Sequence, residues 1–195
     1  MRINTLNELD PILSRCRATK IGEPTDGQGF YKVMRQEFLY PDGKVQAREY
    51  LDKKPASVVV PVTADDHLVF VIQPIGLAEE GSLLELPAGY WNFNEDGETA
   101  AKREMAEETG YMGDTIICTG THYQDPGSIR QKVTTYLALD VQPTGKQKLD
   151  QGEFIKYVEI SVNLIPELLT YGYISDANTF IALIRAARVM NWRIM

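Results

Sequence analysis

The chain has no run of about 18 apolar residues, so it offers no membrane-spanning helix. Its first residues, MRINTLNELDPILSRCR, lack the long apolar stretch of a secretory signal. Cysteine is nearly missing: Cys16 and Cys118 are the only two. That excludes a disulfide scaffold and points to an intracellular, cytoplasmic protein. Basic residues are in deficit, 20 against 27 acidic ones, for a net charge of −7. A general nucleic-acid or anionic-membrane binder needs a basic face, so both classes are disfavoured. A small anionic substrate stays admissible if metal ions screen the charge locally. No internal repeat and no low-complexity tract interrupts the chain. What remains is 195 residues with 44% hydrophobic content, enough for one domain with a real core and a small extension.

Residues 1 to about 27 are mixed and end in the loop-like EPTDGQG. GFYKVMRQEFLY and KVQAREYL alternate around the turn PDG (41–43), which predicts a hairpin. ASVVVPV and LVFVIQ are β-branched apolar runs separated by Ala64-Asp65-Asp66-His67, and read as a second strand pair. SLLELP is a short strand. Residues 97–109 switch to helical character. DTIICTGTHY and KVTTYLALDV read as strands around QDPGSIR, FIKYVEI as another, and 161–171 and 176–193 as amphipathic helices. Strands with helices interleaved and at the end predict an α/β or α+β sandwich. The boundary falls near residue 56, between an N-terminal β-extension (1–56) and the main domain (57–195).

The densest signal is REMAEETG, residues 103–110, with Glu104, Glu107 and Glu108 in five positions. Like charges at helical spacing repel. At about 100° per residue the three carboxylates fall within an arc of roughly 100°, while Ala101 and Met105 adjoin them and can face a core. Gly110 is a natural left-handed cap for the helix end. Hard divalent cations such as Mg²⁺ favour such oxygen ligands, and Arg103 is placed to orient and partly neutralise the glutamates. Read alone, the octapeptide fits a solvated acidic face equally well.

The longer stretch GYWNFNEDGETAAKREMAEETGY, Gly89 to Tyr111, decides between the two. Gly89, Glu95, Arg103, Glu104, Met105, Glu107, Glu108, Gly110 and Tyr111 stand in the register of the Nudix box, and the chain resembles a Nudix hydrolase. LLELPAG before the box, QDPGSIRQKVTTYLALDV after it and YGYISDANTFIALIRAA near the end are similar to the ADP-ribose pyrophosphatase and nucleotide-sugar branch. The resemblance implies a Nudix-type α/β/α sandwich with a mixed sheet. It also implies Mg²⁺-dependent hydrolysis (Mn²⁺ as the alternative) of a nucleoside diphosphate linked to another group. ADP-ribose, split to AMP and ribose 5-phosphate, is the leading substrate, with another nucleotide sugar such as GDP-mannose or a dinucleotide as rivals. A non-catalytic nucleotide sensor is the alternative outside the enzyme class, and the intact glutamates argue against it. Carried over by position, Glu104 and Glu108 match direct metal ligands, Glu107 a direct or water-mediated one, the Ala88 carbonyl another, and Arg103 the residue that holds the glutamates.

The chain departs from the pattern in three places. The family's first Gly-Glu pair is displaced, so Glu95 and Glu98 compete for that role. The branch's loop glutamate, a general base, aligns with Gln151 in KLDQGEFI; an amide cannot take a proton, which leaves Glu153, Asp150 or Glu107 for the base. The Arg-Gln-x-Arg segment of the branch reads Ile72-Gln73-Pro74-Ile75, so Arg130 and Lys132 after the DPGS loop are the candidates for phosphate contact. Relatives in the branch pair as homodimers through the N-terminal segment and stack it on the base, which makes Phe30 and Tyr31 the candidate base contacts. His67 is read as a turn residue, His122 as core or surface, and Tyr90, Trp91 and Phe93 as lid or core aromatics.

Overall fold

A computed structural model describes residues 1–21 and 32–194. In chain order these form β1 (Arg2–Ile3), α1 (Asp10–Arg15), β2 (Val33–Leu39), β3 (Val45–Asp52), β4 (Ala56–Pro61), β5 (His67–Pro74), β6 (Ser82–Glu85) and β7 (Ala88–Tyr90). They continue with α2 (Gly97–Thr109), β8 (Tyr111–Met112), β9 (Thr115–His122), β10 (Ile129–Arg130), β11 (Val133–Leu139), β12 (Gln142–Pro143), β13 (Lys156–Ser161), α3 (Ile165–Thr170) and α4 (Ala177–Met190).

Two mixed sheets carry the fold, one in the order β1-β13-β5-β6 and the other β7-β4-β11-β9. The pairs β1/β13 and β4/β11 are parallel, and the rest of both sheets is antiparallel. A larger core joins Val58, Val60, Leu68, Phe70, Ile72 and Leu137 to α3 and α4. A smaller one joins Val59, Val69 and Ala138 to Ala101 and Met105 of α2. Strands β4 and β5 are therefore buried on both faces, which is why they read as continuous apolar runs instead of alternating. The helices lie on the two sides of the strand layers, as a sandwich requires. Among the described residues no helix is long and apolar enough to cross a membrane.

One expectation fails. ASVVVPV and LVFVIQ do not pair with each other beyond the isolated bridge Val62–Leu68. The chain turns at Asp66, which adopts a left-handed φ of 58°, and the two strands part into different sheets. β4 takes β11 and β7 as neighbours, and β5 takes β13 and β6. A strand apolar on both faces needs cover above and below and a partner on either edge, and residues distant in sequence supply these.

The hairpin β2–β3 forms as expected, with Gly43 at φ 78° in its turn. It stands away from the core: Val33, Leu39 and Val45 are largely exposed. Its tie to the body is β10, parallel to the end of β3. The first 21 residues behave differently, since Ile3, Leu9 and Cys16 are buried in the larger core.

Candidate active site

Helix α2 positions the acidic cluster. Its first turn is capped by Asp96, whose Oδ1 accepts from Thr99 N at 2.8 Å, a local device that sets where a helix starts. Ser57 Oγ donates to the Gly97 carbonyl at 2.7 Å and receives Trp91 Nε1 at 2.8 Å, pinning the entry to β4. The helix ends at Gly110, at φ 73°. Ala101 and Met105 are buried, so the helix has one rotational setting, and it presents Glu104, Glu107 and Glu108 toward β7 and the loop before β13. The strand must pass close: a Cβ at Gly89 would overlap the Glu104 carboxylate.

Arg103 organises the cluster. Its Nε and Nη2 each donate at 2.9 Å to Glu95, Nη1 donates to Glu104 at 2.8 Å and to Glu107 at 2.9 Å, and Nη2 also reaches the Tyr90 carbonyl. This separates the two candidates for the first glutamate of the box. Glu95 lies under Arg103 and accepts Asn92 N as well, whereas Glu98 pairs with Lys102 on the exposed side. Arg103 holds the Glu95 carboxyl below the usual range.

Glu104 and Glu108 go the other way. Burial pushes Glu104 up in spite of Arg103. Glu108 is 5% exposed, and burial together with the charges of Glu104, Glu153 and Glu85 pushes it up to about 9, although Ala88 N donates to its Oε2 at 3.1 Å. A site that raises its carboxylates in this way gains from a cation. Among the described residues no group of three or more acidic, His or Cys side chains is placed to hold a metal ion by itself. The oxygen-only donor set, with Ala88 directly against Glu108, fits a hard divalent cation.

The loop 147–155 closes over the end of α2. Gln147 Nε2 donates to the Glu108 and Ile155 carbonyls, and Lys148 N to the Glu107 carbonyl. The loop brings Glu153 close enough for its charge to act on Glu104 and Glu108. Glu153 Oε2 also accepts from Asp150 N at 2.9 Å, and both Gln151 and Glu153 are exposed.

Arg130 is elsewhere. It makes a two-pronged ion pair with Asp52 and lies over the Tyr50 ring, 5.1 Å from its centroid. With Phe38, Tyr40, Arg48, Tyr50 and Tyr123 it lines a cavity of about 800 Å³ between the hairpin and the DPGS loop. Phe30 and Tyr31 fall outside the described residues. His67 is the expected turn residue, with Nδ1 2.9 Å from the Asp65 carbonyl. His122 Nε2 lies 3.0 Å from Asn178 Oδ1 at the start of α4. Phe93 is exposed. One group escaped the sequence reading: Glu85, next to Gln73, whose charge reaches Glu108. Its only signal was a lone acid inside the apolar LLELP.

The chain is similar to known proteins in sequence and in fold. The sequence profile of the NUDIX domain matches residues 53–181. The ADP-ribose pyrophosphatase of Bacillus subtilis (strain 168) is 29% identical over 144 residues, covering 73% of this chain and 77% of the relative. The methanol dehydrogenase activator of Bacillus methanolicus is 28% identical over 155 residues, 77% of this chain and 82% of that protein. A solved structure of an ADP compounds hydrolase superposes with a TM-score of 0.72 at 20% identity, covering 87% of this chain and 91% of its own, and so shares the fold.

Proposed function

The chain belongs to the Nudix family of hydrolases, and on that premise we propose that it splits the pyrophosphate of a nucleotide sugar, ADP-ribose before others, into AMP and ribose 5-phosphate. The observation that carries this reading is the pair of carboxylates, half-buried Glu104 and buried Glu108, both raised by burial, the first fastened beside Gly89 by Arg103 and the second by Ala88 N. An ADP-ribose pyrophosphatase among the relatives supports the choice of substrate. The test is AMP release from ADP-ribose with Mg²⁺, with Mn²⁺ and with chelator, beside GDP-mannose and a dinucleotide. Release with ADP-ribose at the highest kcat/KM, abolished by chelator, is expected; a higher kcat/KM on GDP-mannose would transfer the assignment to that sugar.

In this reading Glu104, Glu108 and the Ala88 carbonyl would hold Mg²⁺, with Glu107 as a direct or water-mediated ligand, and the ion would supply charge neutralisation at the pyrophosphate and a more acidic attacking water. The chain's own residues do the rest. Arg103 fixes the spacing of the glutamates, and Glu153, on the loop 147–155, is the candidate to accept the proton. For Glu153→Gln the expected result is a fall in kcat of about 10²–10⁴ with little change in KM or metal affinity. A higher KM and lower Tm would instead mark Glu153 as the anchor of its loop, through the bond from Asp150 N. An unchanged kcat would return the role of base to Asp150 or Glu107.

The segment from residue 28 to about 56 serves, in the same proposal, to pair two copies, with the hairpin β2–β3 as the contact. An isolated two-stranded hairpin is marginal in water and needs something to pack on, and this one exposes Val33, Leu39 and Val45. Arg130, paired with Asp52 in the cavity beside the hairpin, stays the candidate for phosphate contact in that proposal, and Phe30 and Tyr31 the candidates for base contact. Light scattering at micromolar concentration should give a dimer mass; a monomer mass removes the pairing.

A further inference from the structure

Glu85 stands where the sheet face beneath α2 runs out. Along β5, Leu68, Phe70 and Ile72 enter the larger core, so Val69, Val71 and Gln73 point to the opposite face, where Val69 packs with Ala101 and Met105 of α2. Glu85 is the cross-strand partner of Val71, and directly opposed residues share a face. Leu84 and Leu86, its neighbours in sequence, are buried on the other side. The side chain of Glu85 therefore extends the row that begins under α2, toward the open end occupied by Glu104 and Glu108.

Its surroundings are short of donors. Gln73 Nε2 donates to Oε2 at 2.7 Å, and among the described residues no cation pairs with Glu85. Burial pushes its carboxyl up, and the Asp176 charge adds to that. Gln73 engages one oxygen of Glu85, and each candidate partner for the other can be weighed. A phosphate would meet a carboxylate with two more behind it. An alkyl group would leave a half-buried acceptor unsatisfied. A metal ion would have to share the carboxylate with the positive end of the Gln73 amide, while Glu104 and Glu108 offer themselves nearby. A hydroxyl group donates one hydrogen bond, carries no charge and satisfies the free acceptor.

We infer that Glu85, held in place by Gln73, accepts a hydroxyl of the group carried on the distal phosphate, and so selects nucleoside diphosphates ending in a polyhydroxylated sugar. This rests on the pyrophosphatase reading above and adds the residue that recognises the sugar. Glu85 touches the part of the substrate that leaves, not the reacting phosphorus.

Two substrates separate this role from a structural one: ADP-ribose, and the methyl ester of ADP, which keeps both phosphates and offers no distal hydroxyl. For Glu85→Gln the carboxylate acceptor is replaced by an amide of the same shape. The expected result is a rise in KM for ADP-ribose of about 10-fold or more, the loss of a charge-assisted hydrogen bond, with KM for the methyl ester changed less than about threefold. Gln73→Leu, which frees Glu85 without removing it, should give a smaller rise confined to ADP-ribose. Equal losses on both substrates, or none on either, overturn the inference. If the parent enzyme hydrolyses neither, the pyrophosphatase reading falls separately. Calorimetric Kd values for the two ligands then decide the role of Glu85: a loss confined to ADP-ribose upholds it, and parallel values overturn it.

Discussion

Glu104→Gln and Glu108→Gln will each fold like the parent and lose about 10³-fold or more in turnover at saturating Mg²⁺, the several kcal/mol a bound cation supplies to a phosphoryl transition state. The substitutions keep size and remove charge. The same change should raise stability in chelator, most of all for Glu108→Gln. Glu108 has a folded pKa of about 9, above the usual value for a glutamate. A group raised in this way contributes stability that is fully present below the unfolded pKa and is lost as pH rises through the folded one. Metal-free parent protein should therefore lose Tm as pH rises from about 5 to 9, and Glu108→Gln should be spared that loss. Thermal melts in chelator across this window check the sign. Parallel profiles for parent and variant would show that another group titrates, and near-parental turnover would remove Glu104 and Glu108 as ligands.

Arg103→Lys should be nearly as damaging, although it keeps the positive charge. The guanidinium reaches Glu95 with two nitrogens and Glu104, Glu107 and the Tyr90 carbonyl besides. An ammonium is a point charge with no such fork. The exchange leaves one or more of these partly buried carboxylates uncompensated, at a cost of about 2 kcal/mol, which for a chain of this size is a Tm lower by roughly 6 °C. Turnover should fall by about 100-fold through misplacement of the glutamates, and added Mg²⁺ should recover part of the stability but little of the rate. An Arg103→Lys enzyme with parental Tm and kcat would mean that the glutamates hold their places without the fork.

What the sequence made legible is what local interactions determine. Helix α2 spans the residues its pattern predicted because Asp96 and Gly110 cap it within the segment itself. The hairpin was readable because its turn lies between its strands. Pairing across the chain was not: nothing in ASVVVPV or LVFVIQ records that the partners are β11 and β13. Glu95 and Glu98 could not be ranked by spacing, since both precede the helix interior; the reach of Arg103 ranks them. Gln151 fell on the base position by alignment, while it is the charge of Glu153, two residues on, that reaches Glu104 and Glu108. Glu85 passed as an ordinary strand residue because its significance comes from Gln73 across the ladder and Glu108 across the cleft, neither of which is near in sequence.

The parting of β4 and β5 also constrains how the chain is made. When a ribosome has released the first hundred residues, both strands are complete, yet their long-range partners, Val133–Leu139 and Lys156–Ser161, are still to be translated. At roughly 5–20 residues per second these apolar segments wait several seconds with one edge each unpaired, since β7 and β6 supply only the other. The nascent protein thus passes through an interval in which its stickiest strands are unprotected, and its yield in a cell should depend on holdase chaperones and on growth temperature more steeply than the stability of the finished fold would suggest.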